Sequence, residues 1–110
     1  DLPDDLSGDR LVRAIHLVRL DKIRPALVLT RAIAVQHLSG ITVAPITTTI
    51  RGLATEVRVG PRNNLDHDCV VHCDSIQTIP RAHLLAPIGL LLPDQEDDLA
   101  RAIRAAFDLD

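Results

Sequence analysis

Apolar residues in this chain come mostly in short, β-branched runs that end on abrupt polar points. Ala26-Leu27-Val28-Leu29-Thr30 follows Arg24-Pro25, and Ile41-Thr42-Val43-Ala44-Pro45-Ile46 runs straight into Thr47-Thr48-Thr49. The first run predicts a strand over 26–30, and the second predicts a buried strand over 41–46. Further strands are expected at about 12–20, 55–59, 69–73, 76–79 and 87–92, with a short helix over 31–38. Thr55–Val59 alternates as a half-exposed strand should, and Gly60-Pro61-Arg62-Asn63-Asn64 is a strong loop signal. Pro93-Asp94 opens a helix expected to reach about Phe107, with Leu99, Ile103 and Ala106 on one face and Asp94, Glu96 and Asp97 at its start. Many short strands and one closing helix predict a mainly β fold, a small, partly open β-barrel.

Two of these segments carry candidate chemistry. Pro25 biases Arg24 towards extended geometry, which holds the arginine at the beginning of a strand. Threonines at the end of the 41–46 strand can offer hydroxyls to a ligand instead of packing. A fixed guanidinium near several hydroxyls points to a phosphate site. Phosphate-cradling glycine loops, paired-histidine helices and Gly-x-Ser-x-Gly are absent. The polar residues that could converge are Arg24, Thr47, Thr48, Thr49, Arg51, His72, Asp74 and Gln77.

Charge sharpens this picture. The formal net charge is −3, but most of the acids lie in the two arms of the sequence. Between residues 10 and 92, ten Lys/Arg face five acids, a balance of +5 that suits a polyanionic ligand. Phe107 is the only aromatic, so nucleic-acid recognition would rest on hydrogen bonds and arginine planes, not on ring stacking. Cys69 and Cys73 share one strand, about 13 Å apart by strand rise, too far for a disulfide. Two free thiols suit a reducing, cytoplasmic setting, and their spacing to His67 and His72 fits no standard zinc pattern, so no metal or other cofactor is expected. Apolar runs are too short to span a bilayer, and no signal-peptide-like leader is seen. With no methionine in the sequence, a processed form or a piece of a longer chain is expected.

The motifs Arg24-Pro25-Ala26-Leu27-Val28-Leu29, Val43–Leu53, Thr55-Glu56-Val57, Val70–Ile79 and Ile88–Leu91, in that order, resemble the MazF/PemK/Kid toxins of bacterial toxin–antitoxin pairs. The resemblance runs from about Ala14 to Leu109. It implies an SH3-like, partly open barrel of the MazF/PemK/CcdB type with a C-terminal helix. It also implies a homodimer, a metal-independent endoribonuclease acting on single-stranded RNA, and a MazE-like antitoxin. Residues 1–11 are then expected to be a flexible acidic arm, and 12–110 a single toxin domain.

By position, the resemblance gives Arg24 and Thr47 the catalytic roles. Asp74 matches an acidic position proposed as base in the Kid branch, and His72 stands where that branch has an arginine proposed as acid. Two residues apart on the same expected strand, Asp74 and His72 could lie on one face as an acid/base pair, and which of them is acid or base stays open. Thr48, Thr49, Arg51 and Gln77 are the expected RNA contacts. The chain departs from the family before Arg24, where a long glycine-rich loop shrinks to Asp21–Ile23, implying a more open site or a different base preference. The chemistry expected is attack by the ribose 2′-hydroxyl, leaving 2′,3′-cyclic phosphate and 5′-hydroxyl ends. The alternative is a CcdB-like toxin that binds DNA gyrase without cutting RNA.

Overall fold

A computed structural model describes residues 12–109; the expected acidic arm lies outside them. The strands are β1 (Arg13–Arg19), β2 (Ile23–Val28), β3 (Gly40–Thr47), β4 (Glu56–Val59), β5 (Cys69–His72), β6 (Gln77–Pro80) and β7 (Leu84–Leu91). A four-residue helix α1 (Ala32–Val35) joins β2 to β3, and the 14-residue helix α2 (Pro93–Ala106) ends the fold. Sheet order is β4-β5-β3-β2-β1-β7, with β6 also on β3, and each strand pairing is antiparallel. The sheet curls into the expected partly open barrel.

β3 organises this curl. Its first half pairs with β6 from Gly40↔Pro80 to Val43↔Gln77, and its end pairs with β5 through Ile46↔Val71 and Thr47↔Val70. β2 lines the middle, from Val28↔Val43 to Ala26↔Pro45. Both strands are covered on two faces. Leu27, Ala44 and Ile46 join the barrel core with Ile15, Val57, Val71, Leu91 and Leu99, while Ala26, Val28, Ile41 and Val43 join a second cluster with Val18 and Ile79. This two-sided burial is why the 26–29 and 43–46 runs are continuous instead of alternating.

β2 begins three residues earlier than expected and takes in Arg24 and Pro25. Proline is tolerated because the β2–β3 ladder stops at Ala26, so Pro25 needs no partner on that side. α1 is shorter than the expected 31–38; only Ala34 in it is buried, and little apolar surface holds a longer helix.

α2 packs as its periodicity predicts, with Leu99 and Ala102 buried and Ile103 and Ala106 against the same cluster. A buried amide pair fixes its start. Gln95 Nε2 donates to Asn63 Oδ1 (3.2 Å) and to the Arg58 carbonyl (3.2 Å), while Leu92 N–H donates to Gln95 Oε1 (2.9 Å). Asn63 Nδ2 in turn donates to the Leu90 carbonyl (2.9 Å) and its Oδ1 accepts from Gly60 N–H (3.0 Å). β7 comes so close to this turn that a Cβ at Gly89 would sit 2.0 Å from the Asn63 carbonyl oxygen.

Candidate functional site

The β2–β3 register sets the site. Ala26 pairs with Pro45; two residues beyond that pair, on each strand, stand Arg24 and Thr47. Side chains two apart share a face, so these two continue one cross-strand row where the ladder opens. They line a cleft of about 430 Å³ together with Leu20, Asp21, Pro45, Ile46, Thr49, Arg51, His72, Ser75 and Gln77.

Asp21, in the loop before β2, receives Arg24 Nε at 2.9 Å on one oxygen and Nη2 at 3.0 Å on the other. This fork-to-carboxylate pairing fixes the guanidinium plane and uses two of its five N–H bonds, leaving three for a ligand. The Arg24 hydrogen bond holds the Asp21 carboxyl far below the usual carboxylate range, and Asp21 raises Arg24 in return. Both groups remain accessible, at 70% and 33% side-chain exposure, so solvent weakens the pair energetically while its geometry still aims the arginine.

Thr47 Oγ1 accepts from Thr49 N–H at 3.1 Å, a local turn that closes the end of β3. The accepted bond leaves the hydroxyl hydrogen available to a phosphate oxygen. His72 ends β5, across from Glu56 on β4, and lies in the lining. Its Nδ1 is buried without a hydrogen-bond partner, so Nε2 is the ring nitrogen left for a ligand.

Six of the eight expected site residues therefore meet in one cleft: Arg24, Thr47, Thr49, Arg51, His72 and Gln77. Thr48 is exposed outside the lining. Asp74 is outside it too, contrary to the expectation that it shares a face with His72. The strand ends at His72, and Cys73–Ser75 forms a 3₁₀ turn that breaks the two-residue alternation. Asp74 is turned out to accept from Thr55 Oγ1 (2.7 Å), while Ser75 takes the place at the cleft. Asp21 was not among the expected site residues; its spacing three before Arg24, across a tight loop, was the available signal. Nothing in the sequence pointed to Ser75.

The cysteines take no part. Both are buried and unpaired, and burial raises both thiols, Cys73 to about 11. Such thiols are inert as nucleophiles. A larger hollow of about 720 Å³ lies between β1, α1 and Leu84. Two of its polar side chains are engaged internally: Arg13 with Glu96 and the Leu29 carbonyl, and His16 with the Leu85 carbonyl. Among the described residues no helix is long and apolar enough to cross a membrane.

The family model of PemK-like, MazF-like toxins of type II toxin–antitoxin systems matches residues 14–107. Endoribonuclease MazF3 of Mycobacterium tuberculosis is 57% identical over 99 residues, covering 90% of this chain and 96% of the relative. The probable endoribonuclease MazF2 of the same organism is 34% identical over 84 residues, covering 76% and 82%. The solved M. tuberculosis toxin MazF-mt6 superposes with a TM-score of 0.87 at 57% identity, covering 89% of this chain and 99% of that one. The gyrase-binding alternative is set aside, because the family matched is PemK/MazF-like and these curated relatives bear endoribonuclease names.

Proposed function

This chain belongs to the PemK-like, MazF-like toxins of type II toxin–antitoxin systems, and we propose that its cleft cuts single-stranded RNA by directing a ribose 2′-hydroxyl onto the adjacent phosphorus. The carrying observation is that Arg24 and Thr47 stand on one row at the open end of the β2–β3 ladder, each with donors left over.

In the proposed reaction the 2′-oxygen bonds to phosphorus as the bond to the 5′-oxygen breaks and that oxygen takes a proton from water, giving a 2′,3′-cyclic phosphate and a 5′-hydroxyl. Arg24, held in plane by Asp21, donates to the non-bridging oxygens as they gain charge. One well-placed donor of this kind contributes roughly 3–4 kcal/mol. The Thr47 hydroxyl donates a second bond. His72 takes the 2′-hydroxyl proton as general base; the Asp21 carboxylate in the same cleft is already committed to Arg24. Thr49, Arg51 and Gln77 contact the flanking nucleotides. No metal enters this reading, which takes its metal independence from the family resemblance.

The same reading gives the toxin a homodimeric state, a cytoplasmic location and a MazE-like antitoxin as the protein that silences it. β7 supports the dimer, being a terminal strand of the sheet with Leu90 exposed and Phe107 of the C-terminal segment exposed as well. The test is incubation of purified protein with total RNA in EDTA, beside Arg24→Ala and Thr47→Ala. Cleavage by the parent with loss of about 10²-fold or more in each variant is expected. Intact RNA with the parent protein would overturn the proposal.

A further inference from the structure

The segment between β3 and β4 carries Thr49 and Arg51 into the cleft lining without regular secondary structure of its own. One side chain holds its Arg51–Leu53 stretch. Glu56, the first residue of β4, accepts from three successive backbone N–H groups: Arg51 at 3.2 Å to each oxygen, Gly52 at 2.9 Å and Leu53 at 3.2 Å. Consecutive N–H groups that converge in this way form an anion-binding concavity. Gly52, at φ +75°, supplies the left-handed residue that lets them converge. Here the chain's own carboxylate fills the concavity, through charge-assisted bonds roughly twice as strong as neutral ones.

The consequence for the cleft is specific. Glu56 binds the backbone of Arg51 and leaves the guanidinium alone; among the described residues the Arg51 side chain has no hydrogen bond or ion pair, and it lines the cleft. Glu56 itself is not in the lining, and its oxygens are taken up by the loop. Resting on the endoribonuclease reading above, we propose that Glu56 is a positioning residue that sets nucleotide preference by fixing Arg51 at the rim of the cleft. It acts on RNA only through the loop.

The experiment uses the full chain and an RNA pool randomised on both sides of one cleavable step, read by steady-state kinetics and by sequencing of the cut ends. Glu56→Gln keeps the shape but removes the charge and replaces one accepting oxygen by an NH2 group that cannot accept from N–H. It is expected to raise KM about tenfold, change kcat less than about threefold and flatten the preference. Arg51→Ala should show the same pattern, and adding Glu56→Gln to Arg51→Ala should change nothing further. Gly52→Ala reaches the loop by a second route: its Cβ meets nothing within 4 Å, so the fold is spared while the positive φ is strained. It should flatten the preference too. Additive effects in the double variant, or a kcat loss with KM and preference intact, would overturn the assignment. So would unchanged preference in both Glu56→Gln and Gly52→Ala. Wild-type protein that leaves the pool uncut would overturn the endoribonuclease reading and this assignment with it, whereas normal wild-type cutting alongside those results sinks the Glu56 assignment alone.

Discussion

Arg24→Lys separates charge from geometry at the centre of the cleft. Lysine keeps the positive charge but replaces a planar fork by a single ammonium on a flexible stem. In the structure Arg24 spends Nε and one Nη2 hydrogen on Asp21, at 2.9 and 3.0 Å, and keeps three N–H bonds for substrate. An ammonium attracted to Asp21 cannot hold that carboxylate in two places and also present a fixed donor to a phosphorane. Loss of one oriented donor to a developing anion costs about 2.7–4 kcal/mol, or 10²–10³ in rate. Single-turnover cleavage of a fluorescent RNA oligonucleotide should therefore slow by about 10²-fold in Arg24→Lys and by more in Arg24→Ala, with RNA affinity in Arg24→Lys falling far less. A lysine variant within threefold of wild type would show that charge alone suffices and that the Asp21-held plane is irrelevant.

Asp21→Asn should lower kcat several-fold by loosening the same plane. Because the folded Asp21 carboxyl is depressed, its contribution to stability is complete above the ordinary carboxylate range and is lost only as pH falls through and below that range. The activity profile between pH 5 and 8 should thus have the same shape in wild type and Asp21→Asn; an acidic limb that disappears in the variant would contradict this. Leu99→Ala, at a core position only 2% exposed, should cost about 2–5 kcal/mol in denaturant unfolding. Gly89→Ala drives a Cβ into the Asn63 carbonyl and should cost about 1–3 kcal/mol or more, seen as a lower melting temperature; a melt unchanged from wild type would mean the turn yields freely.

Much of this was legible in the sequence because burial leaves a readable pattern. The helix from Pro93 followed from its acidic first turn and apolar face, and the runs at 26–29 and 41–46 reported strands covered on both faces. The Arg24–Thr47 pairing was half legible: each residue stands at a strand end, but their common row depends on a register that no local pattern specifies. Asp74 was misplaced because alternation was carried through Cys73, where the chain turns into 3₁₀ geometry. Glu56 read as an ordinary strand position, since its role lies in backbone groups of the preceding loop. Gln95 was equally silent; a polar residue among helix-start acids gives no hint of a buried amide partner at Asn63.

The most direct measurement is cleavage of an RNA oligonucleotide in which a single 2′-deoxy nucleotide replaces the ribose on the 5′ side of the cut phosphate. If sugar oxygen is the nucleophile and Arg24 and Thr47 only clamp the phosphate, that substitution abolishes cutting, while deoxyribose elsewhere is tolerated. Scission at the substituted step, or a product ending in a simple 3′-phosphate from the first turnover, would contradict it.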